Sequence, residues 1–337
     1  MDIKNAFLHS NLEEEVFMKV PEDVDARGKQ VCKLNKTLYG FKQAPGAWNS
    51  TFDTFMKTLE MKNSEADRCL YIGGVQNVKI YLLLYVDDII IAGNNEKKIQ
   101  EIKIALKNKF FMKDLGKLKT FLGIKITNTS EGLFLSQELY LKKLLTKFNM
   151  NDCKSTRMPM KCNFVNNCQN DLSKDKPYRE LVGCLTYLTQ TTRPNISFSV
   201  NYFSRFQNEP KENHWRDWKR ILRYLQGTLN YGLIFYKTNE RSREPLTDFA
   251  DADWENSEDR KSTSGFVYQL YGNTICWVTR RQNTVAQSST EAEFVALATC
   301  ATEYLWLKNL IKDFEIANDC SLIIYENNQV CIYSLKK

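Results

Sequence analysis

Histidine is almost missing from this 337-residue sequence, which has only His9 and His214. A His-based zinc site or a Ser-His hydrolase is hard to build from two imidazoles, so any metal chemistry must rest on carboxylates. Carboxylate oxygens point toward magnesium. There is also no C-x-x-C pair. Cys32, Cys69, Cys153, Cys162, Cys168, Cys184, Cys276, Cys300, Cys320 and Cys331 lie scattered, which argues against a disulfide framework and fits a reducing compartment. Long apolar runs are lacking too: none reaches the roughly 18 residues of a membrane span. Met1 is followed by the charged Asp2 and Lys4 rather than by a basic-then-apolar leader. The expectation is an intracellular protein, cytoplasmic or nuclear, without a membrane partner.

What the sequence does contain is an ordinary globular balance, 43% hydrophobic and 26% charged residues, in a length that holds two or three domains. The formal charge of +7 suits a polyanionic partner, although solubility alone also explains a charge of that size.

Residues 78–92, VKIYLLLYVDDIIIA, read as two apolar strands interrupted only by Asp87 and Asp88, a hairpin with an acidic tip. An amphipathic helix follows over 96–110, with Ile99, Ile102, Leu106 and Phe110 on one stripe. FLGIKI and GLFLSQ read as a strand pair, and 139–148 as a helix. The polar stretch 149–176 is the linker candidate, and a second polar break covers 237–245. Helices are expected over 178–190 and 212–226. Beyond 245 the pattern becomes strand (247–253), strand (264–271), strand (274–282), helix (291–312) and strand (321–326), a compact α/β unit.

Two adjacent carboxylates in an apolar hairpin repel one another and resist burial, so something should compensate them. A pair of divalent cations about 4 Å apart would do so in a phosphoryl-transfer site, provided that another strand adds a carboxylate. Asp2 in MDIKNAF is the candidate. Taken singly, Asp87 and Asp88 also read as a polar turn and Asp2 as a surface residue.

The motifs DIKNAFLHSNLEEEVFM, LYGFKQAPGAW (Leu38 to Trp48), YVDD (Tyr85 to Asp88) and FLGIKI (Phe121 to Ile126) resemble, in order, the palm motifs of copia-type retrotransposon reverse transcriptases. The resemblance implies that Asp2 and Asp87 bind the catalytic metals, Mg2+ with Mn2+ as a substitute, and that Asp88 supports them. It implies that Phe7 is the steric gate against a 2′-hydroxyl. Tyr39, Gly40, Lys42, Gln43 and Pro45 would line the nucleotide and template side. Core packing is the plain alternative for Phe7 and Tyr39. Phe121 to Ile126 would form the primer grip, or simply a strand. Gly46 departs from the family, which carries Arg there, and so removes a cation from this block.

The segment from Tyr178 to Leu233 resembles the connection between polymerase and ribonuclease H in the same elements. Arg205, Arg216, Lys219, Arg220 and Arg223 would contact phosphates there, or else form a solvated helix face. Trp215 and Trp218 read as core.

Next, FADADW, RKSTSGFV, SSTEAEF and IIYENNQ resemble the copia-type ribonuclease H domain, with Asp251 and Glu293 matching two of its metal-binding carboxylates. The plain reading of Glu293 is a Thr290-x-x-Glu293 capping box. The family's third acid is replaced by Asn327, and an amide brings no charge to a site holding two dications.

The fold class expected is α/β (α+β), a reverse transcriptase palm with thumb and connection elements followed by a ribonuclease H-like α/β domain. The partition is 1–115 palm with its fingers missing, 116–240 primer grip, thumb and connection-like segment, and 241–337 ribonuclease H-like domain truncated at its C-terminus. The implied partners are RNA template, DNA primer, RNA–DNA hybrid and deoxynucleoside triphosphates. The expected function is RNA-directed DNA polymerase with ribonuclease H, working within a longer polyprotein. The alternative is a truncated, inactive relic that at most binds nucleic acid. For this stretch alone, catalysis is not expected: a metal ligand at residue 2 would sit on a fraying end.

Overall fold

The computed structural model describes all residues except 24–27, 29–30, 162–169, 238–244, 256–258, 317–321 and 336–337. Cys162, Cys168, Cys320, the middle of the 149–176 stretch and most of the 237–245 break therefore lie outside the described residues. The architecture mixes helix and sheet and divides into two compact units. One comprises Met1–Leu118 with a stretch beginning at Trp306; the other begins at Lys119 and includes the C-terminal strand and helix.

In the first unit the expected hairpin forms from Ile80–Tyr85 and Asp88–Gly93. Ile80, Leu82 and Leu84 alternate inward, the two-residue period of a strand with one covered face. Asp2–Ile3 pairs with Asp88–Gly93 on one side and with Met112–Lys113 on the other, inside a six-stranded sheet. The expected fraying end is therefore a sheet strand, because its backbone groups find partners on both neighbours.

The helix Glu96–Lys109 starts where predicted, capped by the Asn95 side chain, which accepts the Lys98 N–H at 3.1 Å. A further helix, Ala44–Thr58, was not read from the sequence, although Ala44, Trp48, Phe52 and Met56 recur every fourth residue and are all buried. The Phe52 and Phe110 rings stack at 5.7 Å, and Trp48 meets Phe110 edge-on at 5.4 Å. These rings join the inward face of the sheet in one core. The ribbon Asn11–Lys19 and Val31–Lys36 was likewise not anticipated.

In the second unit Ile124–Asn128 and Gly132–Ser136 pair, but the strand expected over 121–126 is broken: Leu122 and Gly123, at φ 47° and 78°, turn the chain so that Thr120–Phe121 pairs back on Ile124 and Lys125. Gly232–Tyr236 adds a strand from far along the chain. The helices Glu138–Lys147, Tyr178–Thr191, Ser197–Ser204 and Glu212–Gln226 bury their apolar stripes together. Trp215 and Trp218 belong to that core, as read. Met150 and Leu172, from either end of the polar 149–176 stretch, are buried in it too.

The last sheet has the order Asn273–Arg281, Thr263–Leu270, Leu246–Asp253, Leu322–Tyr325, with only the final pair parallel. The long helix Ser289–Asp313 intervenes before that parallel strand, as a parallel connection requires.

Two glycines give a paired test. A Cβ at Gly46, on the first turn of Ala44–Thr58, would meet nothing within 4 Å, whereas one at Gly132 would lie 1.9 Å from the Phe235 carbonyl oxygen. Gly46→Ala should stabilise the chain by about 0.5–1 kcal/mol. Gly132→Ala should cost roughly 1–3 kcal/mol by prising the 132–136 and 232–236 strands apart. Urea denaturation of both variants checks the pair.

Candidate active site

Asp2 and Asp88 are direct cross-strand partners, and Asp87 occupies the turn that leads into Asp88. All three carboxylate residues are half-buried. Burial pushes the Asp88 carboxyl above the ordinary carboxylate range, and the charges of Asp87 and then Asp2 push it the same way. The strand alternation that buries Ile3 and Ile89 leaves the acids grouped at this end of the hairpin.

The turn itself is unusual. Tyr85 and Asp88 are the last paired residues, so Val86 and Asp87 form a two-residue loop. Val86 has φ 55°, the left-handed region, while Asp87 does not. A positive φ at the first loop position only is the type II′ pattern, which favours glycine there. A β-branched residue in that conformation costs on the order of 1–3 kcal/mol. The backbone around it is firmly tied. The Trp48 indole N–H donates to the Val86 carbonyl at 2.7 Å, and the Ile3 N–H donates to the Asp87 carbonyl at 2.7 Å.

Phe7 and Tyr39 stand beside these acids. Their rings lie 4.5 Å apart, and the Tyr39 hydroxyl reaches Asp87 Oδ2 at 3.5 Å. Phe7 is buried, and its carbonyl accepts from the buried Thr37 hydroxyl. Tyr39 is half exposed, at 52%. Partial burial and then the Asp87 charge raise its phenol above the ordinary value. Gly40 follows with φ 92°, a conformation suited to glycine. Lys42, Gln43 and Pro45 are exposed at the start of the helix that carries Trp48. The Phe121 to Ile126 segment includes Leu122, whose carbonyl accepts from the Tyr187 hydroxyl.

A second group of acids forms in the other unit. Glu293 is buried, at 6% exposure, and its Oε2 atom has no hydrogen-bond partner. Burial first, then the charge of Glu326, then that of Asp251 push its carboxyl up to about 7. The capping-box reading of Glu293 is overturned. The Ser288 hydroxyl accepts the Glu291 N–H at 3.2 Å, and Glu291 Oε2 accepts the Gln287 N–H at 2.7 Å. Glu291 thus serves the helix start and leaves Glu293 free of it. Asn327 is exposed, and it is the neighbouring Glu326 whose carboxylate faces Glu293. Sequence reasoning passed over Glu326, although the acid beside the substituted position in YENN was the available signal.

Among the described residues no three His, Cys, Asp or Glu side chains converge closely enough to form a ready metal cage. The donor chemistry nevertheless suits a hard cation. Both groups offer only carboxylate oxygen, and each holds a carboxyl raised by burial and then by its neighbours, with Glu293 Oε2 unpartnered. Of the cations expected to meet phosphates, Arg205 is instead engaged in the fold, bonding Asn201 and Thr263 and lying over the Tyr202 ring. Arg223 donates to the Lys154 carbonyl. Arg216 and Lys219 remain exposed. No helix among the described residues is long and apolar enough to cross a membrane.

Residues 1–162 match the family model described as reverse transcriptase (RNA-dependent DNA polymerase), so the class that this hairpin and its acids define is the reverse transcriptase domain. The chain is 38% identical over 347 residues to the retrovirus-related Pol polyprotein from transposon TNT 1-94 of Nicotiana tabacum, covering 98% of this chain and 26% of that polyprotein. It is 36% identical over 339 residues to the Pol polyprotein from transposon RE2 of Arabidopsis thaliana, covering 99% and 23%. A Ty5-1 transposon protein of Saccharomyces cerevisiae is 33% identical over 311 residues, 90% of this chain and 100% of that protein. The chain belongs to the copia-type Pol polyprotein family of retrotransposons. It spans about a quarter of the length of the two plant polyproteins.

The acid group around Glu293 generates a pH test. Its folded-state pKa of about 7 lies above the ordinary 4.5, so the fold disfavours the charged form. Stability should therefore fall as pH rises from about 4.5 to about 7 and level off above, a loss on the order of 2–3 kcal/mol. Glu326→Gln should lower the Glu293 midpoint and flatten this slope. Carboxyl NMR titration with urea denaturation across that range measures both, and an unchanged midpoint in Glu326→Gln would remove Glu326 from the group.

Proposed function

We propose that this chain supplies the catalytic palm of an RNA-directed DNA polymerase that extends a DNA primer on an RNA template with deoxynucleoside triphosphates. The observation that carries the reading is the cross-strand pairing of Asp2 with Asp88, with Asp87 on the intervening turn. In this reading Asp2 and Asp87 hold two Mg2+ ions and Asp88 supports them. The bound cations supply neutralisation of the charge that develops in phosphoryl transfer. Everything else falls to the protein's own side chains. Phe7, buttressed by Tyr39 and by Thr37, closes on the sugar and excludes a 2′-hydroxyl. Tyr39, Gly40, Lys42, Gln43 and Pro45 line the nucleotide and template side. The segment 116–240 carries the primer grip, thumb and connection, with the palm over 1–115 and a ribonuclease H-like domain over 241–337.

In that last domain Asp251 and Glu293 are the proposed ligands for Mg2+ or Mn2+ against an RNA–DNA hybrid. The sheet order and the unpartnered Glu293 oxygen support this assignment. The exposed Asn327 favours a second reading for this domain, hybrid binding without cleavage.

Two measurements test the proposal. Within its Pol polyprotein the chain should support primer extension on an RNA template, and Asp87→Asn should lower the rate by about a hundredfold or more. Extension that survives Asp87→Asn would refute the assignment. Hybrid affinity should drop by at least about tenfold between 50 and 200 mM salt, because phosphate contacts release counterions; a flat salt dependence would remove the electrostatic mode of binding.

A further inference from the structure

The peptide groups on both sides of Asp87 are fixed by partners outside the hairpin. The one before it, through the Val86 carbonyl, accepts the Trp48 indole N–H at 2.7 Å, and the one after it, through the Asp87 carbonyl, accepts the Ile3 N–H at 2.7 Å. Fixing both flanking peptides fixes the direction in which the Asp87 side chain leaves the backbone. The second tie belongs to sheet pairing. The first comes from a side chain that must itself be held in place.

Trp48 is so held. It is 2% exposed, and its ring packs against Phe52 at 5.5 Å, Phe110 at 5.4 Å and His9 at 6.1 Å. The residue at the other end of its hydrogen bond is the one with an unfavourable backbone: Val86, at φ 55°, fills a turn position that suits glycine. A valine there relaxes toward negative φ unless something opposes it, and such a rotation of the peptide re-aims Asp87.

We propose that Trp48 is a positioning residue for the acidic turn: its indole N–H holds Val86 in the left-handed conformation that aims Asp87 beside Asp2 and Asp88. The consequence for metal binding rests on the polymerase reading, but the hold on the turn does not. The arrangement also accounts for the placement of Trp48 at the first turns of the helix Ala44–Thr58, which brings a buried aromatic donor under the hairpin tip.

The test uses the full chain with Trp48→Phe, which keeps an aromatic ring and removes the N–H. Two quantities are read: amide hydrogen exchange at Asp88 and Ile89, which lie on the paired strand just after the turn, and Mn2+ binding followed by electron paramagnetic resonance, with Asp87→Asn defining the site. Exchange at the turn should quicken about tenfold, the equivalent of one lost hydrogen bond, while Ile102 and Leu106 keep their protection. Mn2+ affinity at the Asp87-dependent site should weaken about tenfold. Adding Val86→Gly to Trp48→Phe should restore most of both, because glycine adopts φ 55° without a clamp; general damage to the core would not be rescued this way. If Trp48→Phe fails to fold, the indole N–H of Trp48 in the unaltered chain is followed instead, and it should exchange as slowly as the Ile89 amide, which donates to the Met1 carbonyl at 2.8 Å. Unchanged turn exchange in Trp48→Phe, no rescue by Val86→Gly, or rapid exchange of the Trp48 indole would each overturn the proposal. Absence of Asp87-dependent Mn2+ binding in the unaltered chain would overturn the polymerase reading instead, and the exchange measurements would still decide the role of Trp48.

Discussion

Mutual repulsion among Asp2, Asp87 and Asp88 is the constraint on which the first unit depends. Burial first, and then the charges of Asp87 and Asp2, raise Asp88 above its ordinary range, a cost that the surrounding fold has to offset. The offset comes from apolar packing directly beneath. Ile3 and Ile89 flank the acids and are buried, and the Trp48, Phe52 and Phe110 rings fill the space between the sheet and its helices. The stability of a large aromatic core is thus spent on holding charges where water alone would let them separate.

The second unit meets the same problem with a different layout. Glu293 projects from a helix toward the ends of two strands, and its burial outweighs either neighbouring charge in raising its carboxyl. The helix start could have absorbed this acid as a cap, but Ser288 and Glu291 perform that task. An unpartnered buried carboxylate oxygen is expensive in any fold. The Glu293 oxygen that stays unpartnered here is the observation behind the cation site proposed for this region.

The conformational strain at Val86 ties local sequence to long-range structure. Most two-residue hairpins of this type place glycine where the backbone turns left-handed. Here the chain keeps valine and supplies a hydrogen bond from a helix some forty residues earlier in sequence. A hairpin whose tip depends on a distant donor cannot reach its final geometry until helix, sheet and aromatic core have assembled together.

Much of this was legible in the sequence. The period-two run at 78–92 and the 3.6-period stripe at 96–110 each carry their own local physics, and the structure has the corresponding elements. The motif order also sufficed to identify the family. Other features needed the tertiary fold. The helix Ala44–Thr58 was hidden behind Pro45 and Gly46, which look like turn residues, although proline is well tolerated in a first helical turn and Trp48, Phe52 and Met56 bury the stripe that follows. Arg205 looked like a phosphate contact because charge alone gives no direction, and the fold turns it inward onto Asn201, Thr263 and Tyr202. Glu326 was visible beside Asn327 but its role was not, because one step along the chain at a strand end decides which side chain faces the helix. Sequence alone determined which residue types are present and the periods that make strands and helices; only tertiary structure decided which acids meet, because carboxylate repulsion, burial and the Trp48 hydrogen bond act between residues far apart in the chain.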